Sequence, residues 1–150
     1  MRLTSFTDYG LRMLMRMASA PDRAFSTADL SAEFGLSRNH LSKIIQHLSR
    51  AGIVTTQRGS GGGATLAKPA ADLRLGSLIA ILEQDQPIVE CFGPGQNDCT
   101  IEGVCGLKAR LRAAEYAFLA NLDRSTLADI ALPTPSVQGS AIKGEFLTLK

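Results

Sequence analysis

Three cysteines are the residues of this chain with the clearest capacity for chemistry. Cys91, Cys99 and Cys105 are its only cysteines, and seven and five residues separate them. Structural zinc sites favour close Cys-x-x-Cys pairs, which are absent, whereas wider spacing can surround a larger iron–sulfur cluster. Three unrelated thiols, or one disulfide and a leftover thiol, are the alternative interpretations. The grouping favours a shared ligand role, and the spacing alone does not identify the metal.

A second set of residues has the chemistry of DNA recognition. Arg38 and Asn39 can make bidentate contacts to bases, each worth about 1–3 kcal/mol of discrimination. Basic side chains nearby are suited to phosphates, and glycines would let backbone amides approach closely. The predicted DNA-binding residues are Ser37, Arg38, Asn39, His40, Lys43, Arg50, Arg58, Gly59, Gly61 and Gly62.

The charge distribution indicates the same half of the chain. Residues 1–80 carry ten Lys/Arg against five Asp/Glu, a net +5, and residues 81–150 carry six against nine, a net −3. The first half is therefore the one expected to meet a polyanion.

The elements that would position these basic residues form a helix-turn-helix. Apolar spacing predicts a first helix over residues 5–19, and Ser26 with Asp29 predicts the capping box of a short second helix. Gly35 can end that helix and Ser37 can begin the third, over residues 38–50. Leu41, Ile44, Ile45 and Leu48 form the predicted buried stripe of the third helix.

A β-hairpin is expected next, followed by more helix. Residues 53–58 and 64–67 are predicted strands joined by a Gly-rich turn, which is the wing of a winged helix-turn-helix. A short helix over 75–83 precedes the cysteine loop. A long helix over 104–123 carries an apolar stripe in steps of three and four, which we expect to pair with a second copy of the chain. The stripe consists of Val104, Leu107, Leu111, Ala114, Phe118 and Leu122.

The predicted fold class is therefore mainly α with a small β-hairpin: a winged helix-turn-helix domain plus a long C-terminal dimerisation helix. The DNA-binding domain would cover residues 1–76, and the cluster-binding loop with the dimerisation helix residues 77–131. Residues 132–150 contain two Pro and scattered Gly and are expected to form a loosely ordered tail.

Composition and patterning exclude several classes of protein. With 45% hydrophobic and 20% charged residues, the chain fits a globular unit rather than a fibre or a disordered polymer. No apolar run approaches the ~20 residues that span a bilayer. Asp8, Arg12 and Arg16 interrupt what would be the core of a signal peptide, so we expect a soluble, cytoplasmic protein with no membrane partner. Neither histidine lies near the cysteines in sequence, so we do not expect an enzyme.

Several segments together resemble one known family. These are residues 4–12, 37–45, 58–63 and 127–129, and the three cysteines with the Cys105-Gly106-Leu107-Lys108 segment. Over roughly residues 1–131 they are similar to the cluster-containing regulators of the Rrf2 family. The resemblance implies a homodimeric transcription factor on double-stranded promoter DNA. It also implies an iron–sulfur cluster, 4Fe–4S or 2Fe–2S, held by Cys91, Cys99 and Cys105.

Within that family the chain most resembles the nitric-oxide-sensitive repressors, the NsrR subgroup. This resemblance implies that Asp8 of the other subunit supplies the fourth ligand, with Arg12 holding its carboxylate in place. In the IscR subgroup a histidine three places after the last cysteine completes the site. Here that place is Lys108, which cannot act as such a ligand while protonated, and this argues against the IscR subgroup.

The expected function is a transcriptional repressor that senses nitric oxide and loses operator binding when its cluster is nitrosylated or lost. An iron-responsive or cluster-status regulator of the same family is the first alternative. A small electron-transfer iron–sulfur protein, which would lack sequence-selective DNA affinity, is the second.

Overall fold

A computed structural model describes residues 2–59, 61–93 and 99–133 of the chain. The predicted tail from residue 134 onward and Ser60 of the wing lie outside the described residues. Five α-helices and one two-stranded sheet make up the regular structure of the described part, with short 3-10 turns at Ala70–Asp72, Glu90–Phe92, Glu102–Val104 and Leu127–Ile130. In chain order the elements are α1 (Ser5–Ala18), α2 (Thr27–Phe34), α3 (Arg38–Arg50), β1 (Val54–Gln57), β2 (Gly63–Leu66), α4 (Leu75–Leu82) and α5 (Gly106–Leu122).

Local capping fixes the helix-turn-helix. The Ser26 hydroxyl accepts from the Asp29 amide at 3.0 Å, and the Asp29 carboxylate accepts from the Ser26 amide at 3.2 Å. Hydrogen bonds from the side chain and the backbone amide of Ser26 to the Asp29 carboxylate hold the pKa of Asp29 below its usual range. Gly35 takes a left-handed φ of 66° after α2, and the Ser37 hydroxyl accepts from the His40 amide at 3.2 Å. The predicted boundaries of α3 and the predicted capping box are confirmed.

The wing is a short antiparallel hairpin fastened to the rest of the chain. β1 and β2 pair from Val54 opposite Leu66 to Gln57 opposite Gly63. Phe25, in the connection between α1 and α2, adds a bridge to Ala64, with both amide-to-carbonyl distances at 2.9 Å. The Phe25 side chain is 1% exposed, so this bridge is sealed from water and holds the hairpin against the helices.

The hydrophobic core lies between α1, α3 and α4. Each of these helices buries one apolar stripe and leaves its other face in water. The domain boundary predicted at residue 76 falls inside α4, whose apolar side chains belong to this same core. The core residues of the three helices that are buried most completely are Met13, Leu14, Met17, Leu41, Ile44, Leu48 and Leu78.

α5 has no buried residue although it is the longest described helix. It crosses α4 at Gly76, where a Cβ would overlap the carbonyl oxygen of Leu119. The Asp123 carboxylate then accepts from the Ser77 amide at 2.8 Å and caps the start of α4. Val104 does not join the helix as predicted, because it lies in a 3-10 turn and Cys105 has an extended ψ of 100°. None of the described helices is long and apolar enough to cross a membrane.

The close approach of α4 and α5 generates a stability prediction. Gly76→Ala adds a Cβ where only hydrogen fits, so we expect the free energy of unfolding to fall by about 1–3 kcal/mol, as overpacked sites do. Chemical denaturation followed by circular dichroism measures this change. Gly106→Ala is the control, because a Cβ at that position meets nothing within 4 Å; equal stability of the two variants would contradict the assigned crossing.

Candidate DNA interface and metal centre

The outer face of α3 is basic and exposed. Ser37 caps the helix, and Arg38, Asn39, Lys43 and Arg50 are all exposed on it. The opposite face carries the predicted stripe, which is buried in the core as Leu41, Ile44, Ile45 and Leu48. α3 contains three Arg or Lys residues and no acidic residue. Such a helix can present cations and hydrogen-bond donors to a nucleic acid while its core contacts fix its orientation.

The wing places a further cation beside a tight turn. Arg58 and Gly59 are exposed where β1 ends. Gly59 and Gly61 have positive φ values of 106° and 80°, a region that L-residues rarely adopt. A Cβ on Gly62 would overlap the Gln57 carbonyl oxygen. The geometry of the turn itself therefore accounts for these three glycines, and their contact with phosphates stays a prediction.

The two histidines of α3 face α1. The His40 ring lies 5.3 Å from the Tyr9 ring and 6.3 Å from the Phe6 ring. The His47 ring packs edge-on to Phe6 at 5.6 Å, and its Nε2 lies 2.7 Å from the carbonyl oxygen of Ile81. His47 therefore packs against Phe6 of α1 and Ile81 of α4, whereas its polar type alone would predict a residue facing solvent or DNA. His40 and His47 share a helical stripe with the buried Ile44, and that spacing was the sequence signal for this packing.

Asp8 and Arg12 form a bidentate ion pair on the exposed side of α1. Arg12 Nε and Nη2 donate to the two Asp8 carboxylate oxygens at 3.1 and 2.7 Å. The side chains are 46% and 53% exposed respectively. The Arg12 guanidinium also lies 5.9 Å from the centroid of the Tyr9 ring. Both oxygens of Asp8 are thus engaged, and through Tyr9 this pair touches the residues that support α3.

All three cysteines line one cavity of about 220 Å³. The other lining side chains are mostly aliphatic, from Val89, Ile101, Leu107 and Leu111, with Glu90 and Lys108 as the charged members. Cys91 and Cys105 are half-buried, Cys99 is exposed, and none of the three is in a disulfide. Asp8 of the same chain is not among the residues that line this cavity.

The donor set fits an iron–sulfur cluster better than a single ion. Among the described residues, no three His, Cys, Asp or Glu side chains lie close enough together to hold one metal ion. Three thiols around an apolar cavity supply the ligands that a larger cluster uses. Cys105 is the N-cap of α5, and its side chain makes no capping hydrogen bond to the helix.

Sequence reasoning missed two contacts that hold this region. The Glu83 carboxylate accepts from the Thr4 amide and hydroxyl at 2.8 and 3.0 Å, which ties the start of α1 to the end of α4. The Arg112 guanidinium lies 4.4 Å from the centroid of the Phe92 ring. These partners are 79 and 20 residues apart, so no local periodicity could have revealed them.

Comparison with solved structures supports the same architecture. The oxidized form of CymR from Staphylococcus aureus superposes with a TM-score of 0.66 at 23% identity, covering 91% of this chain and all of that one. CymR (YrzC), described as the global cysteine regulator of B. subtilis, gives 0.65 at 24% identity and coverage of 87% and 96%. IscR from T. potens gives 0.66 at 25% identity and coverage of 93% and 94%.

A protein-family model described as "Rrf2: Iron-dependent Transcriptional regulator" matches residues 3–132. This match covers the helix-turn-helix, the wing, the cysteine loop and α5 together. The chain therefore belongs to the Rrf2 family of transcriptional regulators and is not an enzyme.

Proposed function

We propose that this regulator is a cytoplasmic, homodimeric repressor whose affinity for its operator is controlled by a nitric-oxide-sensitive iron–sulfur cluster. The observation that carries the proposal is the single cavity lined by Cys91, Cys99 and Cys105. The family description as iron-dependent and the similarity to IscR support iron at this place.

DNA recognition is assigned to the exposed face of α3. Arg38 and Asn39, in its first turn, would read base edges in the major groove. Lys43, Arg50 and the wing residue Arg58 would contact phosphates, and these contacts set the register without reading sequence. Since the His40 ring packs against α1, its part in the interface is to hold the N-terminal turn of α3 in place.

Pairing of two chains is assigned to α5. Val104, Leu107 and Tyr116 are 87%, 62% and 76% exposed, and their burial against a second copy would remove apolar surface from water. A symmetric dimer presents two recognition helices to two half-sites of an operator.

The cluster would be held by the three cysteines of one chain and by Asp8 of the partner subunit. When bound, an iron–sulfur cluster supplies iron that nitric oxide can attack. The bidentate pair with Arg12 is then the resting arrangement of Asp8 when it is not a ligand. Asp8 would serve as a ligand through a carboxylate oxygen that now accepts from Arg12, and in the absence of ligation it would keep this pair.

A continuous set of contacts connects the Asp8–Arg12 pair to α3. Arg12 lies against Tyr9, and Tyr9 lies against His40. The His40 amide is held by Ser37, the cap of the recognition helix. A change in the position of Arg12 therefore acts on the residues that orient Arg38 and Asn39, and this coupling would lower operator affinity when Asp8 is released.

An iron-responsive or cluster-status regulator is the second candidate. It is favoured by the iron-dependent description of the family and uses the same three cysteines. In that case loss of iron, rather than nitric oxide, releases the operator. An electron-transfer protein is disfavoured because the chain belongs to a family of transcriptional regulators.

An operator can be obtained by selecting random DNA duplexes that bind the wild-type protein. On this operator, the DNA assignment predicts two distinct mutant phenotypes. Arg38→Ala should cost about 1–3 kcal/mol and relax the preference at one base pair. Lys43→Ala should weaken binding to all sequences and reduce the salt slope by about 1. Fluorescence anisotropy at several salt concentrations measures both. Arg110→Ala, which removes an exposed cation of α5, should change neither quantity; equal weakening of operator and random DNA by Arg38→Ala would contradict base reading.

The metal assignment predicts that Cys99→Ser abolishes the cluster. Protein reconstituted without oxygen should lose its visible absorbance and its iron and sulfide, whereas Thr100→Ala, which alters the neighbouring residue and keeps every thiol, should retain them. Asp8→Ala should keep much of the cluster and alter the response to nitric oxide. A Cys99→Ser protein with an intact, nitric-oxide-responsive cluster would refute the assignment. Operator release on iron depletion alone would favour the second candidate.

The coupling assignment predicts that Tyr9→Leu makes operator affinity less dependent on the state of the cluster. We expect the ratio of operator affinities before and after nitric oxide treatment to shrink by about 2- to 30-fold, the range of coupling energies carried by intervening residues. Tyr9→Phe keeps the ring against His40 and should preserve the ratio. An unchanged ratio in Tyr9→Leu would exclude this route of coupling.

A further inference from the structure

The segment that contains Cys91 separates two cavities. Its 3-10 turn spans Glu90–Phe92. Cys91 lines the cysteine cavity, and Phe92 lines a neighbouring cavity of about 320 Å³ together with Arg112. Two adjacent residues of one short turn therefore face different spaces, so the position of one side chain constrains the other.

The hydrogen bonds of this segment do not attach it to the rest of the protein. Within the described residues they are local: the Phe92 amide donates to the Val89 carbonyl and the Gly93 amide to the Glu90 carbonyl, each at 3.0 Å. Phe92 contacts a distant element through Arg112 of α5, whose guanidinium carbon lies 4.4 Å from the centroid of the Phe92 ring. That distance is well inside the range in which a cation attracts an aromatic face.

Arg112 belongs to the helix that also fixes Cys105. Cys105 immediately precedes α5, and Arg112 follows it by seven residues, about two helical turns. Leu111, next to Arg112, lines the cysteine cavity. Because α5 is continuous between these positions, a ring held against Arg112 sets the place of Cys91 relative to Cys105.

We propose that Arg112 and Phe92 are positioning residues that hold the Cys91 thiol at the cysteine cavity. The inference rests on the proposed function in so far as the thiol serves a cluster. The Phe92 to Arg112 contact would also keep Cys91 half-buried in the cluster-free protein. The guanidinium acts here through its planar face on the ring, so a lysine, which keeps the charge and loses the plane, should replace it only in part.

The first test uses the full-length, cluster-free, reduced protein and the thiol reagent N-ethylmaleimide. Mass spectrometry after timed quenching gives the alkylation rate of each cysteine. Arg112→Met and Phe92→Leu should raise the rate at Cys91 by about two- to fivefold, the factor that corresponds to an exposed cation–aromatic contact, and should leave the rate at Cys99 unchanged. Arg112→Lys should fall between these variants and the wild type. Phe92→Tyr keeps the aromatic face and should match the wild type.

The second test measures the rate at which a chelator bleaches the visible absorbance of anaerobically reconstituted protein. Arg112→Met and Phe92→Leu should bleach faster than the wild type, with Phe92→Tyr restoring the wild-type rate and the visible circular dichroism of the cluster. Thermal unfolding of the cluster-free variants establishes that all are folded to the same extent.

The two tests separate the two proposals. Failure of the wild-type chain to take up iron and sulfide would overturn the proposed cluster, and the alkylation rates would still decide the role of Arg112. A wild-type chain that holds a cluster, together with variants whose alkylation and bleaching rates equal those of the wild type, would overturn the positioning role alone. Equal acceleration at Cys91 and Cys99 would also overturn it, because that pattern indicates general loosening of the loop.

Discussion

The packing of α1 against α3 and α4 is the constraint on which the other features depend. At Gly10 an added Cβ would come within 2.9 Å of a Leu82 methyl group, so even one more carbon at this position would require the Leu82 side chain to shift. The Thr4 to Glu83 hydrogen bonds close the same interface at its end. Through this packing α1 supports α3 on the side opposite its basic face, while the exposed side of α1 carries Asp8.

The chain divides its chemistry between two regions that differ in how they are held. The basic face of α3 rests on a stripe of fully buried residues, from Leu41 to Leu48, so its orientation is set by close packing. In the cysteine loop, the amides of Phe92 and Gly93 make local hydrogen bonds, and the Phe92 ring contacts Arg112 of α5. The packed basic face of α3 is therefore expected to resist local opening more than the segment around Cys91, whose hydrogen bonds at Phe92 and Gly93 are local.

Much of the fold could be predicted because its determinants are local. The bounds of α3, the turn at Gly35 and the capping box follow from spacing and cap residues that act over three or four positions. Grouping in sequence likewise indicated that the three cysteines lie near one another, and all three line one cavity. The packing of His47 was not predicted, since its polar type outweighed its place on the buried stripe. The break at Cys105 and the Phe92 to Arg112 contact depend on tertiary structure, which a one-dimensional pattern does not encode.

The exposure of α5 implies that the stability of this regulator depends on its concentration. α5 packs on α4, but it has no fully buried residue, and its Leu107 and Tyr116 side chains are exposed in the single chain. Under the proposed pairing, part of the contribution of α5 to stability would therefore come only from contact with a second copy. Dilution would then have two effects. It would dissociate the dimer, and it would lower the stability of each separated chain. The same protein would then unfold more readily in a cell that contains few copies of it than in a cell that contains many.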